Sequence, residues 1–403
     1  MFPFYLLLFY LFLEYGRPQH LLPFLTYLHL PALSLIMLTF IGIFYGRFQW
    51  KDKQTILLLF FLGLMVIHGP IAVNNYWTLK IFIVMVINFI AYLSISSFID
   101  NQENYKKLVG VWLAIHIFLS IIGIKNSGAG IGGFLGDEND FCMTLNMIIP
   151  FSFFLAVYAS GKERVYNILL TCLFIFVVFL SRSRGGFVGL CVMFLYCWLR
   201  TKRKILVAFL VGIIVVFAVL IAPSTYWDRI QTIHTEGSTT GTGSERVFEW
   251  KIGWHMFLDN PIMGVGQGNF PWEFKKYEFL VTGDDEPFLG RSVAGRVAHS
   301  LYFTLFPELG LIGAIIFFAI VYYSFKDLKI IRKICIQHEK NKNDNKMEKY
   351  FYYLTIALEG SMISYLASGI FISILYYPNF YILIGLIISL KKIVILNYNS
   401  PGQ

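Results

Sequence analysis

Residues 165–199 read VYNILLTCLFIFVVFLSRSRGGFVGLCVMFLYCWL. Two apolar runs, 165–181 and 185–199, meet at a short polar connection, Ser181-Arg182-Ser183-Arg184-Gly185-Gly186. Similar runs recur at 2–14, 31–46, 55–73, 76–98, 106–124, 141–159, 205–222, 299–324, 351–372 and 374–390. At ~20 apolar residues per span, the expected fold is an all-α polytopic membrane protein with about 12 transmembrane helices. Composition agrees: of 403 residues, 57% are hydrophobic and only 14% charged, against about 25% charged in soluble domains. That excludes a cytosolic nucleotide enzyme and a disordered chain. A net charge of +9 would suggest nucleic acid only on the basic face of a soluble domain, so no nucleic-acid partner is expected. Membrane lipids are the surroundings instead. Cys142, Cys172, Cys191 and Cys197 lie in apolar runs, and no CxxC pair occurs. Neither a disulfide framework nor a zinc cluster is expected. The run at 2–13 lacks a basic leader and a small-residue cleavage site, which makes it an uncleaved first span.

Charge placement orients these spans. With both termini in the cytoplasm, the short connections on the opposite side hold only Arg17, Lys125, Arg182 and Arg184. The other short connections carry the basic clusters, including Lys326–Lys349, as the positive-inside rule requires. The expected organisation is an N-terminal transmembrane bundle over 1–222 and a large outer loop over 223–298 containing short helices. A C-terminal bundle over 299–403 follows, with a basic cytoplasmic loop at 326–349. Ser181–Gly186, the loop and the start of the span at His299 then share one outer compartment, which lacks ATP and nucleotide sugars. Chemistry there needs a substrate already activated and carried by lipid.

Several outer residues could serve such chemistry. Arg182 and Arg184 beside hydrocarbon are costly and need partners. Their guanidinium forks match phosphate oxygens, although snorkelling into the headgroups also accounts for them. Ser244 and Asp259-Asn260-Pro261 bracket a helix on which Arg246, Trp250, Gly253 and Phe257 share a face. Arg246 in its first turn favours an anion, while Trp250 and Trp254 could equally anchor an interfacial helix. Pro261–Phe270 is glycine-rich but lacks the strand and spacing of a dinucleotide fingerprint, so it reads as a tight turn without cofactor. His299 stands at the mouth of a span, where a histidine can take a proton near neutral pH. Glu308 lies about 13.5 Å further along a helix and cannot simply orient it. Glu308 and Lys80 are intramembrane ionisable groups. Lys80 is near enough to the outer boundary to reach a lipid phosphate. Asp137, Glu138 and Asp140, like Asp284, Asp285 and Glu286, are oxygen clusters without a paired metal motif, so no metal is assigned.

Ser183-Arg184-Gly185-Gly186-Phe187, then Arg246 and Trp250 before Asp259-Asn260-Pro261-Ile262-Met263-Gly264-Val265-Gly266, then His299 before Glu308-Leu309-Gly310-Leu311-Ile312-Gly313, together resemble the O-antigen ligase family. That family includes related polymerases and protein O-glycosyltransferases. Gly136-Asp137-Glu138-Asn139-Asp140-Phe141 and Arg17-Pro18-Gln19 resemble its putative O-glycosylation ligase branch. The resemblance implies an inverting, metal-independent membrane glycosyltransferase with a GT-C-like fold in the bacterial inner membrane, acting on the periplasmic side. It implies transfer of a glycan from a polyprenyl (undecaprenyl) diphosphate carrier to an acceptor hydroxyl, typically on lipid A–core. Arg184 and Arg246 would hold the diphosphate, with Arg182 and Lys80 as further candidates. His299 would be the general base, and Ser183, Trp250 and Glu308 complete the candidate set. A polymerase or a protein O-oligosaccharyltransferase of the same family is the alternative, and a lipid-linked glycan flippase is the reading from another class.

Overall fold

The structure, a computed structural model, describes residues 1–202, 242–282, 296–339 and 346–398, with isolated positions between 204 and 216. Its helices are α1 (Phe2–Gly16), α2 (Pro18–Leu21), α3 (Leu30–Phe44), α4 (Lys53–His68), α5 (Asn75–Phe98), α6 (Gln102–Lys125) and α7 (Glu138–Tyr158). They continue as α8 (Gly161–Leu180), α9 (Arg184–Arg200), α10 (Thr242–Asp259), α11 (Phe270–Thr282), α12 (Tyr302–Glu339), α13 (Lys346–Ser368) and α14 (Pro378–Tyr398). No strand occurs among the described residues. Each helix start that carries a side-chain cap follows ordinary rules. Asn74, Asn101, Asp137 and Ser183 accept from the backbone N–H groups of Trp77, Asn104, Asn139 and Gly186.

Among the described residues, seven helices are long and apolar enough to cross a membrane, and α1, α4 and most of α9 are shorter apolar helices. Every expected run outside 205–222 coincides with a helix; 205–222 itself lies largely outside the described residues. The expected outer loop is described only at 242–282 and 296–298, where α10 and α11 occur; residues 232–241 and Asp284, Asp285 and Glu286 lie outside. The basic segment 326–349 is not simply a connection. Helix α12 continues through it to Glu339, because its inward charges find partners. Lys391 and Gln54 reach Asp327 at 2.7 and 2.8 Å, and Arg332 pairs with Glu359.

Burial separates centre from periphery. The apolar window of α7 is 89% buried and that of α14 78%, whereas only 22% of the window in Pro23–Phe44 is. Helix α3 accordingly shows Ile36, Phe40 and Phe44 to its surroundings. In hydrocarbon, helices associate through close packing over small residues rather than by apolar burial. At the centre a Cβ on Gly360 would stand 3.1 Å from Pro150, and one on Gly385 3.0 Å from Ile95. These glycines let α13 approach α7 and α14 approach α5.

Two ends of the bundle differ in chemistry. At one, Lys392 pairs with Asp52 at 2.9 Å and Arg200 with Glu359 at 2.8 Å. At the other, the connections that the charge rule groups together meet in space. Arg17 donates to the Gly132 carbonyl at 3.0 Å, Ser183 to Asn139 at 2.6 Å and Tyr377 to Asp140 at 2.7 Å. The helices α10 and α11 join that second end, which holds the candidate site.

Candidate active site

The glycine-rich turn after α10 is stitched into a break in α12. At Gly310, φ is 61° and ψ −164°, which interrupts the helical hydrogen-bond ladder. An unpaired backbone group in hydrocarbon costs several kcal/mol, and the turn removes that cost. Val265 and Gly266 donate to the Pro307 and Glu308 carbonyls, both at 2.9 Å. Across the break, Leu311 and Ile312 donate to the Pro261 and Ile262 carbonyls at 2.8 and 3.1 Å. A Cβ on Gly310 would lie 2.4 Å from the Ile262 oxygen, so this approach needs glycine.

Glu308 belongs to the same joint. Its buried carboxylate accepts from the N–H groups of Gly268 and Phe270 at 2.8 and 3.1 Å and from the Tyr376 hydroxyl at 2.6 Å. It caps the start of α11, where the free N–H groups and helix dipole favour an anion. Below it, His68 meets Gln267 at 2.9 Å and the Met263 carbonyl at 2.8 Å, while Asn269 accepts from the Asn74 N–H at 2.8 Å. The turn is thus fastened to α4, α5 and α12 together.

This joint presents His299. The residue precedes α12, with its backbone in the left-handed region at φ 45° and its ring open to solvent. Arg246, half-buried on α10, acts on it electrostatically, as do Arg296, Asp137 and Glu245. Surrounding protein atoms and, next, Arg246 hold the imidazole below its ordinary value; Arg296 adds to this, while Asp137 and Glu245 oppose it. Arg296 is in turn 3.6 Å from Glu249. Burial pushes the Glu249 carboxyl up to about 7, against the pull of Arg296.

Aromatic contacts connect α10 to the 181–186 turn. Trp250 stacks on Phe303 with ring centroids 5.2 Å apart and planes 3° apart, and it meets Phe371 at 6.1 Å. A Cβ on Gly185 would lie 3.1 Å from Phe371, so the glycine lets that ring approach the turn. Ser183 caps α9 through Gly186 at 2.9 Å and donates to Asn139. Arg182 has φ 52° and an exposed side chain. Arg184 opens α9; its side chain lies outside what is described.

Of the residues singled out by sequence, Arg246 lies within electrostatic reach of His299, and Trp250 bonds to the backbone beside it. Ser183 lies on the neighbouring turn. Glu308 supports the site from beneath through backbone donors. Lys80 instead places its ammonium 4.3 Å above the Trp77 ring. Sequence reasoning missed Arg296, Glu249 and the part played by Phe371. Only Arg296 carried a signal, as a cation three positions before His299.

All-helical architecture, several membrane-length helices and a polar site at one end define a multi-pass membrane protein. Residues 169–318 match the O-antigen ligase family, a stretch running from α8 past the break in α12 and including Arg184, Arg246, Trp250, His299 and Glu308. The resemblance read from the motifs is therefore shown over this region. The chain is also similar to the teichuronic acid biosynthesis protein TuaE of Bacillus subtilis (strain 168). The two are 23% identical over 359 residues, covering 80% of this chain and 68% of the relative. Family and relative together support an enzyme of the membrane glycan ligase or polymerase type.

Proposed function

We propose that the protein transfers a glycan from a polyprenyl (undecaprenyl) diphosphate carrier to an acceptor hydroxyl on the periplasmic side of a bacterial inner membrane. In this reading the end bearing His299 faces the periplasm, about 12 spans surround it, and both termini are cytoplasmic. Residues 223–298 form the periplasmic loop between the bundles 1–222 and 299–403. The acceptor oxygen attacks the anomeric carbon as the carbon–oxygen bond to the diphosphate breaks. The bonding electrons leave with the lipid diphosphate, and the acceptor proton passes to His299. Attack opposite the leaving group inverts the anomeric configuration. Arg246 and Arg184 stabilise the charge developing on the diphosphate with fixed guanidinium groups, so no metal is assigned to the step. Arg182, on the same turn, is the further candidate for this role, with Lys80.

The observation that carries this reading is that Arg246 lies within electrostatic reach of His299, both inside the segment that matches the family. A cation for the leaving group and a base for the nucleophile are the two parts the reaction needs. The similarity to a protein named for teichuronic acid biosynthesis keeps a polymerase of the same family as the alternative to transfer onto lipid A–core. Replacing Arg246 or Arg184 with Ala should abolish transfer while leaving folded protein in the membrane. Full activity in either variant would remove that arginine from the diphosphate site.

A further inference from the structure

His299 is one of few non-glycine residues with positive φ among those described. In that region an L-residue crowds its own Cβ against backbone, which is unfavourable. Such a conformation persists only where its surroundings over-determine it. Both flanks of His299 are held. Before it, the Trp250 indole N–H donates to the Ala298 carbonyl at 3.0 Å. After it, the Ser300 N–H donates to the Ser373 hydroxyl at 3.3 Å and the Leu301 N–H to the Gly369 carbonyl at 2.7 Å. Thr304 donates to the same Ser373 oxygen at 3.2 Å.

The indole is itself fixed by the parallel face of Phe303 and by Phe371. An interfacial anchor would turn its ring outward, as Trp254 does with 52% of its surface exposed. Trp250 instead points its single donor at the backbone beside His299. Its helix also carries Arg246 one turn earlier.

We propose that Trp250 and Ser373 are positioning residues that hold His299 in its left-handed conformation, with the imidazole set to receive the acceptor proton. The clamp ties the base to the helix bearing Arg246, so that both parts of the site keep one register. This inference rests on the reading of His299 as general base.

The test is a cycle of variants in detergent, with an undecaprenyl-diphosphate-linked oligosaccharide as donor and a second lipid-linked glycan as acceptor. Trp250→Phe keeps an aromatic ring on Phe303 and removes the donor. It should lower kcat about ten-fold or more with little change in donor KM, since misplacing a reacting group is costly. Ser373→Ala, a milder change, should act in the same direction. With His299→Ala already present, either substitution should alter the residual rate by less than about two-fold, because groups acting as one unit are not additive. A fall by the same factor with and without His299 overturns the clamp and indicates a general packing role. So does an unchanged kcat in both single variants. Full activity of His299→Ala alone would instead remove the general base, and the clamp with it.

Discussion

His299 must be neutral to accept a proton, and its surroundings favour that form. Surrounding protein atoms and Arg246 lower its pKa from 6.5, so the neutral form persists to lower pH than in a free histidine. The rate should therefore rise with pH through a limb below 6.5 and then level off. Asp137 pulls the other way, and Asp137→Asn should move the limb further down. Asparagine can still cap α7, so the fold is kept. A limb above 6.5 in the unaltered protein would contradict the electrostatic picture. Replacing His299 with Ala should cost about 10²–10⁴ in rate. His299 and Arg246 stand out in the sequence because polar residues at the ends of apolar runs are few, and the structure brings them within electrostatic reach of each other. Arg296 and Glu249 do not stand out, because their pairing joins two elements that no local pattern relates. Glu308 reads in the sequence as an intramembrane ionisable group. In the structure its carboxyl oxygens accept from three donors, two of them backbone N–H groups at the start of α11, which ties it to the joint.

Helix α12 shows what periodicity misses. The run from His299 reads as one span, and a helix is indeed present, but it starts at Tyr302 and breaks at Gly310. Apolar pattern registers which residues meet hydrocarbon and is blind to a ladder completed by another segment. Pro307, Glu308 and Gly310 hold the signal only when set beside Pro261–Gly266. Gly310→Ala should lower the thermal midpoint in detergent by several degrees, since it adds left-handed strain of roughly 1–2 kcal/mol and a 2.4 Å clash with the Ile262 oxygen. Gly110→Ala is the contrast. Gly110 lies within α6 with nothing near its would-be Cβ, so alanine there should be neutral or stabilising by up to about 1 kcal/mol. Equal losses in both variants would dissociate the Gly310 effect from the joint.

For the molecule as a whole, membrane character and the grouping of connections were readable from composition and charge. Packing order was not: the central place of α7 and α14 shows in their burial and depends on close approaches, such as Gly385 to Ile95, between segments far apart in sequence. The orientation can be checked with a membrane-impermeant thiol reagent, since Lys51 and Lys125 are both exposed and fall on opposite sides under the charge rule. Lys125→Cys should label in intact cells and Lys51→Cys only after permeabilisation. The reverse pattern would place the site in the cytoplasm, where the proposed donor chemistry has no setting.

The account stands most directly on glycan transfer by the purified protein in detergent. The donor is a polyprenyl-diphosphate-linked oligosaccharide, offered lipid A–core, a second lipid-linked glycan or a protein acceptor. The account predicts one glycan conjugate together with released polyprenyl diphosphate, both lost in His299→Ala. Absence of product with every acceptor, alongside movement of the lipid-linked donor across liposomes, would contradict it and make the protein a flippase.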